Sequence, residues 1–241
     1  MIWYGSIGKL IYYQYFWRDD FMCSTRHAFD HALEQLKQEI LRMGSLVEQA
    51  IHNAVQSLVM RNVTLAEEVI AGDSVIDQME LDIENICLKL IATQQPIAGD
   101  LRKISTAFKI ITDLERMGDL ALDIAKVTIR LAGQRLIKPL VDIPRMAVLA
   151  QQLVKDGLDA YVNGDVELAR TLSNKDDEVD HIYAQIFREL LTYMMEDPKT
   201  ITQATSLLFV GRHIERIADH ATNIAERVIF QVTGERSNLN D

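Results

Sequence analysis

The sequence predicts an all-α protein: two tandem, pseudo-repeated, antiparallel three-helix bundles. Three observations carry this. First, residues 113–126 (DLERMGDLALDIAK) recur as residues 213–226 (HIERIADHATNIAE), sharing Glu115/Glu215, Arg116/Arg216, Asp119/Asp219, Ala121/Ala221, Ile124/Ile224 and Ala125/Ala225. Self-similarity at constant spacing marks a duplicated unit. Second, apolar residues recur at alternating four- and three-residue steps along several segments, the spacing of a helical seam. Third, residues 133–144 contain Gly133, Pro139 and Pro144, have no helical period, and divide the two copies.

The elements follow in chain order. Residues 1–21 hold half of the aromatic residues and both tryptophans. They lack the basic start, aliphatic run and small-residue cleavage site of a signal peptide. We expect an N-terminal extension outside the fold, with Met22 as a candidate start; an aromatic anchor on a membrane or partner is the alternative. The first bundle spans residues 22–133. Its first helix, residues 26–61, carries a seam through Phe29, Leu33, Leu36, Ile40, Met43, Val47, Ala50 and Ala54. Ser24 or Thr25 can cap it. Asn62-Val63 breaks it, and Thr64 with Glu67 has the capping-box spacing of a short helical turn ending at Gly72. Asp73 opens the second helix, with a seam through Ile76, Met79, Ile83, Ile86 and Leu90 and acidic outer positions at Asp73, Asp77, Glu80, Asp82 and Glu84. Pro96 enforces a loop. The third helix, residues 98–131, is apolar through Leu101, Ile104, Phe108, Ile111 and Leu114 and then carries the Glu115 motif.

Residues 134–144 are the linker and residues 145–234 the second bundle. Its first helix, residues 145–161, aligns Met146, Leu149, Leu153 and Ala160. Asn163-Gly164-Asp165 is a turn signal. The next helix runs to Glu196 through Val179, Ile182, Ile186 and Tyr193, and its Asp176 and Asp180 repeat the spacing of Asp73 and Asp77. Asp197-Pro198 supplies an N-cap and a proline at the first helical position. The last helix, residues 199–232, carries the Glu215 motif, and residues 235–241 are a polar tail expected to fray. Gly118 and Gly211, inside helices, mark close helix packing.

Composition excludes several functions. The formal charge is −10 over 241 residues. That disfavours nucleic acid, which needs clustered Lys and Arg, and docking on anionic lipid. No apolar run is long enough for membrane insertion. Two cysteines, Cys23 and Cys87, suggest neither a disulfide framework nor a thiolate metal site, as fits a reducing cytoplasm. No Ser/His/Asp or Cys/His set supplies a nucleophile.

The chemistry lies in carboxylate rows. Residues four apart share a helix face. Asp73 and Asp77 therefore form one row and Glu115, Asp119 and Asp123 another. Their counterparts are Asp176 and Asp180, with Glu215, Asp219 and Asn223. Asp77 and Asp180 each follow a seam residue, so these rows flank the apolar stripe. If the second and third helices of a half lie side by side, the rows face each other across a groove. All-oxygen donors suit hard cations such as Mg²⁺, Mn²⁺, Ca²⁺ or Fe³⁺. The competing reading is a solvated acidic face, with Arg116 pairing Asp119. Glu178 and His181 match half of a di-iron motif, but a second pair is missing. His213 reads as a surface or edge residue, because its partner in the repeat is Asp113 rather than His. His220, beside Asp219, reads as a surface residue or a supplementary ligand.

With these residues the chain resembles the PhoU family of bacterial phosphate-signalling proteins. The resemblance rests on GDSVID at 72–77, QPIAGDLR at 95–102, DLERMGD at 113–119, Asp176 to Asp180, RHIERIADH at 212–220 and NIAE at 223–226. It implies two pseudo-repeated three-helix bundles and a soluble cytoplasmic regulator. It implies a non-enzymatic adaptor between the phosphate ABC transporter and a membrane sensor histidine kinase, one that represses the phosphate-starvation response. It further implies a homodimer and multinuclear iron or zinc held by the two sets of rows, with Mg or Mn as further candidates. Asn223 brings one charge fewer, so the second site should hold metal more weakly. The rival functions are a carboxylate-bridged metalloenzyme, such as a phosphohydrolase or oxidase, and a purely structural helical scaffold.

Overall fold

The computed structural model describes the backbone of residues 7–239 and the side chains of residues 26–239. Among the described residues there are six α-helices, one 3-10 turn and no strand. The helices are α1 (Ile7–Met60), α2 (Val63–Gln94), α3 (Ala98–Leu131), α4 (Asp142–Asn163), α5 (Val166–Glu196) and α6 (Ile201–Thr233). The bundle count and the helix order agree with the sequence reading.

Local chemistry sets the boundaries. Arg61 turns left-handed at φ 53° and closes α1. Asn62 is extended, and its side chain accepts a hydrogen bond from the Leu65 N–H at 3.1 Å. The cap of α2 is therefore Asn62, not Thr64. The capping box is absent because α2 is already helical at Val63 and runs unbroken through Gly72. A left-handed Gln95 ends α2 one residue before Pro96. Asp165 caps α5 by accepting from the Leu168 N–H at 2.9 Å, after Gly164 has closed α4 at φ 63°. Asp197 caps the 3-10 turn Pro198–Thr200, which feeds α6. Helix α1 begins at Ile7 rather than near Arg26. Of the aromatic extension, residues 1–6 and all of its side chains lie outside the described residues.

The buried faces follow the expected seams with a drift. In α1 the buried position is Ile51, while Ala50 is only partly covered; in α2 it is Cys87, while Ile86 is partly covered. Leu190 replaces Tyr193 in α5, and Leu101 is exposed at the start of α3. A straight helix turns about 20° per heptad against a strict 3.5-residue pattern. Over several turns the buried stripe therefore moves to the next position.

Helices α1, α2 and α3 pack as one bundle and α4, α5 and α6 as another. The bundles meet along α3–α6 and α1–α4, and α3 packs on α6 as extensively as on its own bundle partners. One continuous apolar core runs through both halves. This explains why α3 and α6 have wider buried faces than α2 and α5, including Ala121, Ala125, Ala221 and Ala225 of the repeat. Small residues there let the helix backbones approach. Gly118 and Gly211 do mark tight contacts: a Cβ at Gly118 would meet Ile76 Cδ1 at 3.2 Å, and one at Gly211 would meet Tyr183 Cδ2 at 3.0 Å.

The linker is fastened to α6. Buried Gln203 accepts from the Ile137 N–H at 2.6 Å and donates to the Arg135 carbonyl at 3.1 Å. Lys138, almost fully buried, pairs with Glu189 of α5. The tail is also held. The Leu239 N–H donates to Glu226 Oε1 at 2.8 Å, and Ser173 Oγ donates to the Leu239 carbonyl at 2.9 Å. The expected fraying therefore does not extend to residue 239, because the tail's backbone finds side-chain partners on α5 and α6. Among the described residues no helix is long and apolar enough to cross a membrane.

Candidate functional site: two facing carboxylate rows

Helix α2 runs antiparallel to α3, and α5 runs antiparallel to α6. The Glu-x-x-x-Asp spacing puts one carboxylate per turn on the flank of each seam. In the first half, Asp73 of α2 lies beside Gly118 of α3; its Oδ1 would be 3.6 Å from a Cβ built there. Its charge interacts with Asp77, Asp119 and Asp123. Glu115 interacts with Asp119, Glu80 and Asp77. Thr112 Oγ1 of α3 donates to Glu80 Oε1 of α2 at 3.2 Å, tying the helices together below the rows. The five first-half residues thus share one groove. Glu80, known from the sequence only as an outer acidic position, joins them.

The second half repeats the arrangement with deeper burial. Asp176 of α5 is buried and interacts with Asp219, Asp180 and Glu215. Glu215 in turn interacts with Asp219 and Asp180. Asp180 is exposed at the groove edge.

Electrostatics follow from burial among like charges. Burial, and then the neighbouring carboxylates, raise the carboxyl pKa values of Asp73, Glu115 and Asp180. The same causes push Asp176 and Glu215 up to about 7. Each groove has its own cations. Arg116 pairs with Glu115 at 3.4 Å and with Asp119 at 3.3 Å; Lys126 pairs with Asp123 at 2.9 Å. Arg212 pairs with Glu215. These pairs leave Asp176 Oδ1 and Glu215 Oε2 buried without a hydrogen-bond partner.

Among the described residues no three His, Cys, Asp or Glu side chains converge as ready-made ligands of one ion. The donor set still suits a hard cation. It is all oxygen, it repels itself, and in the second half it contains two buried unpaired oxygens.

The last member of each row leans toward the opposite half. Asn223 donates to Asp113 Oδ1 at 3.4 Å, and His220 Nδ1 lies 2.9 Å from the same oxygen. Asp123 acts on His213 of α6. In the repeat, Asp113 corresponds to His213 and Asp123 to Asn223, so the two contacts are pseudo-symmetric across the α3–α6 seam. His213 is half-buried and stacks on Phe209, with its titration pushed down by burial. It is therefore an interface residue rather than a surface one. His220 is engaged by Asp113 rather than standing free beside Asp219. The repeat carries no sequence signal for this seam, because it describes each half by itself.

A model of the PhoU domain matches residues 40–128 and 143–228. Among curated relatives, the Clostridium acetobutylicum phosphate-specific transport system accessory protein PhoU homolog is 44% identical, covering 90% of this chain and 100% of that protein. The homolog of the same name from Aquifex aeolicus is 48% identical, covering 84% and 92%. Among solved structures, PhoU from Pseudomonas aeruginosa is 38% identical with a TM-score of 0.82, covering 86% of this chain and 100% of that one. The phosphate transport system regulatory protein PhoU from Streptococcus pneumoniae is 31% identical with a TM-score of 0.81, covering 87% and 99%.

Proposed function

The chain belongs to the PhoU family, and from that premise we propose that it is an accessory regulator of phosphate transport. The observation that carries the reading is the extent of the likeness. It spans both bundles, and the relatives are named as phosphate-specific transport accessory proteins. In this reading the protein is a non-enzymatic adaptor at the cytoplasmic face, working as a homodimer. It touches the phosphate ABC transporter and the membrane sensor histidine kinase, and it restrains the starvation response when phosphate is plentiful. Deleting the gene in rich phosphate should switch that response on; an unchanged response would reject the proposal. Pull-down from native membranes in high phosphate should recover transporter and kinase together. Sedimentation velocity should give twice the chain mass.

Within the same reading, the facing rows hold a cation. Its supports are the self-repelling oxygen donors and the two unpaired buried oxygens, Asp176 Oδ1 and Glu215 Oε2. Asp73, Asp77, Glu115, Asp119 and Asp123 would serve one half, and Asp176, Asp180, Glu215 and Asp219 the other, with Asn223 at its margin. A bound iron, zinc, magnesium or manganese ion supplies positive charge that offsets the carboxylate repulsion and fixes α2 against α3, or α5 against α6. Elemental analysis of protein purified without chelator tests this. The double variant Glu115→Ala, Asp119→Ala should lose the first-half metal. Full metal content in that variant would remove the ligand assignment.

A further inference from the structure

Beyond the Asp113–Asn223 contact, the α3–α6 seam opens into a cavity of about 240 Å³, roofed by the tail. It is lined by Thr106 and Lys109 of α3, Glu226 and Arg227 of α6, and Arg236 and Ser237 of the tail. Three cations face one carboxylate there, in a chain whose formal charge is −10. Among the described residues no ion pair takes up Lys109, Arg227 or Arg236. Three buried donor groups at this cavity have no hydrogen-bond partner: Thr106 Oγ1, Arg227 Nε and Ser237 Oγ. Thr106 is only 2% exposed. Leaving such a group unsatisfied is destabilising, and native proteins rarely gather several in one place without a use.

The repeat shows that the fold does not demand this chemistry. One hundred residues away, the equivalents of Lys109 and Arg227 are Phe209 and Val127. The pseudo-symmetric pole instead has Lys126 and Arg130 at the equivalents of Glu226 and Phe230, so the two poles carry their cations at different positions. The tail closes the cavity only here, pinned at Leu239 by Glu226 and Ser173.

We propose that this cavity binds a small tetrahedral oxyanion, namely inorganic phosphate. Two guanidinium groups, an ammonium and two hydroxyls match an acceptor-rich dianion. Glu226 sharpens the choice. A carboxylate repels a fully deprotonated anion but accepts a hydrogen bond from one that keeps a proton. Phosphate near neutral pH keeps one; sulfate does not. The site is argued from geometry and does not rest on the regulatory role proposed above.

Equilibrium dialysis of the full chain against radiolabelled orthophosphate tests it. Saturable binding of one phosphate per chain is expected, with sulfate competing at least 10-fold more weakly. Arg227→Gln and the exposed-tail variant Arg236→Gln should each weaken binding at least 10-fold. Thr106→Val should weaken it too while leaving the thermal midpoint unchanged or raised, because it removes an unpaired buried hydroxyl. Arg42→Gln, on the exposed face of α1, should bind like the parent. The absence of saturable binding, or equal binding by the folded Arg236→Gln and Arg227→Gln variants, would overturn the site. Sulfate binding as tightly as phosphate would overturn the assignment of phosphate.

Discussion

Asp176 is where burial and like charge meet most directly. Its carboxyl is buried among Asp219, Asp180 and Glu215, and its pKa is pushed from the ordinary range to about 7. At any pH between the unfolded value near 3.8 and the folded value near 7, folding therefore takes up a proton. The folded state binds more protons there, so stability is highest below that window and falls across it. Glu215 acts in the same direction over the same window. Asp176→Asn keeps the shape and removes the charge. It should stabilise the metal-free protein at pH 8 by roughly 1–2 kcal/mol, only part of what so large a displacement would be worth without solvent screening of the partly exposed groove. It should change little at pH 4. Thermal melts of chelator-treated protein at the two pH values would show this. Equal stabilisation at both would mean that charge is not the cause. A divalent cation should reverse the parent's pH trend, because it favours the ionised rows.

At the scale of elements, two contacts decide how helices and linker sit. Gly44 of α1 lies against α4 so closely that a Cβ would come within 2.3 Å of Leu158 Cδ1. Alanine in a helix is intrinsically better than glycine by about 1 kcal/mol. Leu158 is buried and has little room to yield, so overpacking of about 1–3 kcal/mol outweighs that gain. Gly44→Ala should lower stability by chemical denaturation, whereas Gly72→Ala, with nothing within 4 Å, should raise it. The linker depends on Gln203. Gln203→Ala strands the Ile137 N–H and the Arg135 carbonyl, and should cost about 1–3 kcal/mol and speed proteolysis within residues 132–141. Intact resistance to protease would show that Lys138 and Glu189 suffice. The sequence carried these elements unevenly. The helices were legible because the seam spacing is a strong periodic signal, and the facing rows were legible because a four-residue step is a fixed direction on a helix. Asn62 was missed as a cap because Thr64 and Glu67 fit a better-known pattern. Gln203 was missed because one polar residue in a helix has no periodic signature. The pairing of Asp113 with His220 was missed because a repeat describes each half and says nothing of how the halves meet.

At the scale of the molecule, that meeting governs cooperativity. The α3–α6 seam is as extensive as the packing inside either bundle, and α1 also rests on α4. Unfolding one half would expose the buried seam residues of the other, each Leu or Ile side chain being worth about 1.5–3 kcal/mol. Neither half should then open alone, and the duplication should behave as one folding unit despite its linker. Helix α5 offers the cleanest probe, because it packs on α4, α6 and the 3-10 turn but on no helix of the first half. Leu36 of α1 is 1% exposed and lies in the first-half core. Leu36→Ala should cost about 2–5 kcal/mol. If the halves are coupled, hydrogen exchange should speed up at the core amides of α5 around Val179, Ile182 and Ile186 by the factor seen in α1 and α3. Protection in α5 that stays at the parent level, while α1 to α3 lose theirs, would mean two independent domains. A regulator built that way would have to carry signals between its carboxylate grooves through the linker alone, rather than through the shared core.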